Sequence, residues 1–439
     1  MNQKTIWKIH SITGLYAGVI IAFLSLTGAA ALFRWEFEQL INPDLALAEP
    51  IGPKVSLNDT VQKVRALHPN NEFFEVEFLP EAEGTWIVKL RPEKKDKLFP
   101  ELLEVFVNPY TGEILGERNY YESFTYYLRN IHVRFYEGFI GRQIVGLAGL
   151  ALLITTITGF LIYGNFMKKQ FFASIRNKNL RLQQADLHKF IGVLTLIFNL
   201  VIAISGTWLG LQPYLEKATG VERPNNYGRA EKPLDKSTDI AFQFNYDSVY
   251  NAGRRYFPEL IPVRLRPSVN GERSVTILGD VPQQVYERFN NKVVVDKQNY
   301  SLLYKYNISK GTLGSKIYYL QEALHFGDFG GIGLKIFYCF MGLSSGFLSL
   351  SGFVVYLERN KKKRVEKPSY VEVWPLVIRW SVGIVGYCVI IGILSINFGI
   401  GVPAIIVTVL MYTVLIVYLV KVLVGFFKKK ASRNKPVSV

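Results

Sequence analysis

The apolar positions of this chain fall into long unbroken blocks rather than the short alternations of a soluble domain. Residues 11–33, 143–167, 190–215 and 336–357 contain no charged side chain, and each run is long enough to cross a ~30 Å hydrocarbon core as a helix. A fifth uncharged run, 380–420, exceeds one crossing, and the stretch from Asn397 to Pro403, with Gly399 and Gly401 inside it, divides it in two. The pattern predicts six membrane helices. Two long polar segments separate the blocks. In the first, 57–67 has a helical period, 73–78 and 85–90 alternate as strands, and 104–107 runs into the turn Asn108-Pro109-Tyr110-Thr111-Gly112. In the second, 247–256 is the helix, with strands at 262–265, 274–278 and 292–295. Each reads as a small α+β module.

Charge adds orientation. Lys and Arg crowd the short connections 168–187 and 358–374 and the tail 428–439, and Lys4 and Lys8 precede the first block; cationic loops stay in the cytoplasm. The predicted order has helices at 1–34, 132–167, 188–212, 325–357, 375–396 and 403–427. The segments 35–131 and 213–324 are exported, and both termini are cytoplasmic. A net charge of +16 over 439 residues is thereby read as topology in contact with membrane lipid, with no nucleic-acid partner. The first block is too long for the apolar core of a cleaved signal peptide and reads as a retained helix. Cys339 and Cys388 both lie in apolar helices, so no disulfide framework is implied. The absence of Cys-x-x-Cys-His excludes the usual c-type haem attachment.

The blocks repeat. His10 is followed by Gly14 and then Thr27-Gly28; His188 is followed by Gly192 and then Ser205-Gly206, at the same offsets. His132 leads through Gly138 to Thr158-Gly159, and His325 through Gly331 to Ser351-Gly352, again at matching offsets. A cation stands ten residues after each of these two histidines, as Arg142 and Lys335. The chain is therefore expected to be a tandem duplication of a helix–module–helix unit, with two extra helices after it.

Four of the five histidines stand at the head of a predicted helix. Since successive helices start on opposite faces, His10 and His188 belong to the inner level and His132 and His325 to the outer one. A buried imidazole needs a partner for each ring nitrogen, and haem iron supplies one. Two bis-histidine b-type haems are the expected cofactors, with glycines four or six residues from each histidine giving the macrocycle room. The fold class expected is then a mainly α membrane protein: a tandem-duplicated four-helix haem-binding core, two extra helices and two exported α+β domains. Arg142 and Lys335 are candidates for haem-propionate contacts, or else interfacial cations that snorkel. Arg34, at the end of the first helix, is a candidate substrate contact. The hydroxyl-Gly pairs read as helix-packing devices, and His68 as a surface histidine. No catalytic residue is expected beyond the haems. From His132 to Lys168 is 36 residues, which as one straight helix would reach ~54 Å; either the histidine sits above the membrane or the helix bends near Gly138 and Gly141.

Trp7, His10, Gly14, Thr27-Gly28, Asn42-Pro43, the run Val107 to Gly116, His132, Gly141 and Thr158-Gly159 resemble the PepSY-associated transmembrane family. The resemblance covers about residues 4–360. It implies a bacterial inner-membrane protein with PepSY-like exported domains, similar to di-haem ferric siderophore reductases, in which His10, His132, His188 and His325 would ligate the haems. The second module departs from the pattern, keeping only Val293-Val294-Val295-Asp296. With no nicotinamide or flavin motif, the electron donor is expected to be separate, quinol or a flavoprotein, and the acceptor a ferric siderophore outside. The competing reading is a non-enzymatic envelope partner or regulator without haem, whose histidines only anchor helices.

Overall fold

The computed structural model describes residues 2–359 except 80–82, 93–100, 137, 171–174, 177, 221–243, 268–273 and 287–288, together with residue 390. The expected helices 375–396 and 403–427 and the basic tail lie outside the described residues. The chain opens with α1 (Gln3–Ala31), α2 (Arg34–Ile41), α3 (Pro43–Ala46) and α4 (Leu57–Leu67), then β1 (Asn71–Phe78), β2 (Trp86–Pro92), β3 (Leu103–Val107) and β4 (Ile114–Asn119). Four helices follow: α5 (Phe124–Arg134), α6 (Gly138–Gln170), α7 (Leu180–Leu194) and α8 (Leu196–Thr219). The second set is α9 (Tyr246–Tyr256), β5 (Ile261–Pro267), β6 (Ser274–Asp280), β7 (Asn291–Asp296) and β8 (Leu302–Tyr306), closed by α10 (Leu313–Phe326) and α11 (Gly331–Arg359). Side-chain oxygens of Ser56, Asn179, Asn245 and Thr312 cap α4, α7, α9 and α10, satisfying amides that a helix start leaves without partners.

Among the described residues, four segments are long and apolar enough to cross a membrane: Gln3–Ala31, Gly138–Gly164, Leu196–Thr219 and Asp328–Tyr356. α1 packs along α11 and α6, α6 along α8, and α7 against α11. Three expected helices are broken: the one at 132–167 at the bend near Gly138 that its length allowed for, and those at 188–212 and 325–357 where no bend was expected. Between α5 and α6 the chain turns on Phe135, Tyr136 and Gly138, at φ 48°, 61° and 54°. Between α10 and α11 it turns on Gly327 and Gly331, at φ 65° and 64°. Gly138 and Gly331 have nothing within 4 Å of where a Cβ would stand. Their positive φ lets them reverse the backbone, where L side chains are strained. The 36-residue straight helix never forms, and His132 and His325 each close a short helix ahead of the long one. The third break, at Thr195, leaves His188 on α7.

The two polar segments, expected as separate modules, build one antiparallel sheet in the order β4-β3-β2-β1-β5-β6-β7-β8. They join edge to edge at β1 and β5, where Val76 pairs with Leu265 and Glu77 with Arg264. Joining two edges removes two exposed rows of backbone donors and acceptors. Period-two alternation sends one set of side chains, Val76, Val88, Val105, Leu265, Ile277 and Val293 among them, against Val61 and Val64 of α4 and Val249 of α9. The opposite face is charged. Arg118, Glu104, Lys89 and Glu75 are consecutive register partners across four strands, and Arg266 of β5 donates to Glu75. Lys89 also donates to Glu77, which accepts from Arg264 Nη2 at 3.1 Å. Charges can be buried at this density only because they alternate in sign. Burial alone would push the Glu77 carboxyl up, but the Lys89 ammonium and Arg264 guanidinium outweigh it and hold the pKa down at about 2.

Candidate functional site

The histidines meet across the two halves. His10 of α1 faces His188 of α7 with ring centroids 6.2 Å apart and planes at 88°. His132 of α5 faces His325 of α10 at 6.5 Å and 37°. His68 stands apart and bonds Glu117 at 2.9 Å.

Each ring is held by the hydroxyl-Gly pair of another helix. Nδ1 of His10 lies 3.1 Å from Thr158 Oγ1, that of His132 3.2 Å from Thr27 Oγ1, that of His188 2.9 Å from Ser351 Oγ and that of His325 2.9 Å from Ser205 Oγ. Reading these pairs as packing devices therefore missed what their atoms do. Each hydroxyl already donates to a carbonyl of its own helix: Thr27 to Phe23 at 3.0 Å, Thr158 to Ile154 at 2.6 Å, Ser205 to Val201 at 2.7 Å and Ser351 to Leu348 at 3.0 Å. With its hydrogen committed, the oxygen is left to accept from the imidazole. Nδ1 then carries the proton and Nε2 keeps its lone pair. The Thr155 carbonyl, 3.0 Å from His10 Nδ1, makes the same demand, since a carbonyl only accepts.

The glycine of each pair lets the ring lie against the backbone. A Cβ at Gly28 would stand 2.8 Å from His132 Cε1; at Gly159, Gly206 and Gly352 it would stand 3.3, 3.3 and 3.2 Å from the Cε1 of His10, His325 and His188. The repeated offsets carried this signal, but only the packing shows which histidine each pair serves.

Two Nε2 lone pairs are thus left at each level. A metal between two imidazoles sits about 2.0 Å from each nitrogen, with the ring centroid about 1.1 Å beyond, so centroids of opposed ligands stand about 6.3 Å apart. The separations here, 6.2 and 6.5 Å, match that spacing. Among the described residues no three His, Cys, Asp or Glu gather to hold a metal ion. Each level offers two imidazoles, the ligand set of a bis-histidine porphyrin iron and short of a zinc centre. At the His10 level a cavity of about 300 Å³ is lined by both rings and by Gly14, Gly159, Gly192 and Gly352. The residues fit haem.

The matched cations are engaged with other helices. Arg142 donates to the Leu209 carbonyl at 2.9 Å from Nε and 2.6 Å from Nη2, and to Gln212 Oε1 at 2.9 Å. Lys335 donates to Glu36 Oε1 at 2.6 Å. Their common spacing from the histidines places them alike in the two halves, and each ties its helix to a neighbour. Arg34 lies over the Trp35 ring at 5.4 Å. With Lys335 it lines a second cavity, of about 1060 Å³, between the charged face of the sheet and the helices below.

The family model for the PepSY-associated TM region matches residues 7–359. The chain belongs to this family. The matched span takes in all four paired histidines and all eight strands of the sheet. The uncharacterized protein PA4219 of Pseudomonas aeruginosa is 24% identical to this member of the family over 53% of the present chain and 63% of its own length. The match therefore spans less than two thirds of that relative.

Proposed function

We propose that this PepSY-associated membrane protein is a di-haem b oxidoreductase that passes electrons outward, from quinol or a cytoplasmic flavoprotein to a ferric siderophore on the extracytoplasmic side. The observation that carries the reading is the pair of opposed imidazoles at each of two levels, at 6.2 and 6.5 Å, every one with its Nδ1 proton committed to the protein. Neutral imidazoles anchored through Nδ1 present Nε2 as a ligand and fix the ring against rotation. His10 with His188 would hold one haem and His132 with His325 the other. Haem bound there supplies one-electron chemistry, its iron cycling between ferric and ferrous. The surrounding apolar helices exclude water. The basic connections at 168–187 and 358–374 support a cytoplasmic far end, which leaves the sheet on the acceptor side. Reduction of the siderophore's Fe(III) by one electron yields the more weakly held Fe(II), and the electron comes from the donor.

The test is the protein's colour and its dependence on the four histidines. Full-length protein purified from haem-replete cells should show a bis-histidine b-type spectrum with two haems per chain. His132→Ala or His325→Ala should remove one haem and leave the His10–His188 spectrum intact. A colourless protein that also refuses added haem, or a single substitution that removes both haems or neither, would overturn the reading.

A further inference from the structure

Arg129 stands three residues ahead of His132 on α5, and Glu322 three residues ahead of His325 on α10. Residues three apart on a helix share a face, so each lies about 4.5 Å along the axis from its histidine. Both helices descend from the sheet, and both side chains line the 1060 Å³ cavity beneath it. The repeat that matches the histidines therefore matches these two positions as well, but fills them with opposite charges. A flat group between the two imidazoles has its sheetward edge beside both.

Arg129 differs from the other cations around that cavity in having no engagement of its own. Lys89, Arg118, Arg264, Arg266 and Lys335 are ion-paired, and Arg34 and Lys292 lie over the rings of Trp35 and Tyr304. Among the described residues Arg129 makes no hydrogen bond and no ion pair. A partly buried guanidinium in that state gains from an anion that accepts its N–H groups. Inward of His132 the surroundings are apolar: Ile20, Phe23, Leu24 and Val145 pack around Ile131 and Phe135. Desolvating a carboxylate among those side chains without a partner is costly, so the polar edge of a cofactor at this level belongs on the Arg129 side.

We propose that Arg129 binds a propionate carboxylate of the haem held by His132 and His325, whose carboxylate edge then faces the sheet. This rests on the di-haem reading, and esterifying the cofactor separates the two, because haem dimethyl ester keeps the iron and the ring but lacks the carboxylate charge. Full-length apoprotein in detergent is titrated with haem or with its dimethyl ester, and the occupancy of each level is read from the reduced-minus-oxidised spectrum. Arg129→Gln should weaken haem at the His132–His325 level about tenfold, leave the His10–His188 level unchanged, and have no effect on the ester. Arg129→Lys should recover part of the loss. If Arg129→Gln fails to fold, Glu322→Gln takes its place: removing the like charge should tighten haem about threefold and again leave the ester unaffected. An equal effect on haem and ester, or none on either, overturns the assignment. A protein that takes up neither cofactor refutes instead the haem reading on which the assignment stands.

Discussion

Substituting Gly28 by alanine puts one methyl group against the His132 ring, and the structure says how much that should matter. The new Cβ would stand 2.8 Å from His132 Cε1, against an ordinary carbon–carbon contact of about 3.5–4.0 Å. The ring has to retreat by about 0.7 Å or more to regain that contact. It is not free to do so, because its Nδ1 is tied to Thr27, the residue next to the glycine. Overpacking of this kind costs about 1–3 kcal/mol, and if the strain falls on ligation it weakens haem binding about 5- to 150-fold. The repeat supplies the control. A Cβ at Gly206 would stand 3.3 Å from His325 Cε1, short of contact by only about 0.2 Å, so Gly206→Ala should cost about fivefold at most. Haem retention is read by transfer to excess apomyoglobin, with the two levels resolved in the reduced-minus-oxidised spectrum. Gly28→Ala should release the His132–His325 haem fast and leave the other. If Gly28→Ala holds both haems as tightly as the parent, or Gly206→Ala loses more than Gly28→Ala, the packing argument is refuted.

Two further outcomes follow from the same contacts. Ser351→Ala removes the acceptor of the His188 Nδ1–H, 2.9 Å away, and should weaken haem at the His10–His188 level about 10- to 100-fold; apomyoglobin transfer shows it, and unchanged retention speaks against the anchoring role. For the sheet, Glu77 is held at about 2 in the folded state against 4.5 as an ordinary carboxyl. A depressed carboxyl stabilises the fold fully above its unfolded value and loses that contribution as pH falls through the folded one. About 3 kcal/mol should therefore disappear between pH 4.5 and 2. Denaturant titrations of the parent and Glu77→Gln at pH 6, 4 and 2.5 check it: the gap between them should shrink on acidification, and a constant gap contradicts the sign.

The membrane character of the chain was settled by sequence alone, because spanning a bilayer depends only on local length and hydropathy. The uncharged runs 11–33, 143–167, 190–215 and 336–357 coincide with the apolar helices. The matched offsets also singled out His10, His132, His188 and His325 as the residues to watch, since duplication leaves its mark directly in residue order. A bend near Gly138 was foreshadowed by a span too long for one straight helix, but its counterpart at Gly327 was less legible: a glycine six residues after a histidine looks the same whether it makes room or turns the backbone. The joining of β1 to β5, about two hundred residues apart, was invisible, because edge pairing uses backbone groups every strand possesses. The roles of Thr27, Thr158, Ser205 and Ser351 depend on how the helices are rotated against one another, as do the contacts of Arg142 with Leu209 and of Lys335 with Glu36. Hydropathy fixes which segments enter the membrane; which hydroxyl meets which imidazole is decided only when side chains from distant parts of the chain compete for the same partners.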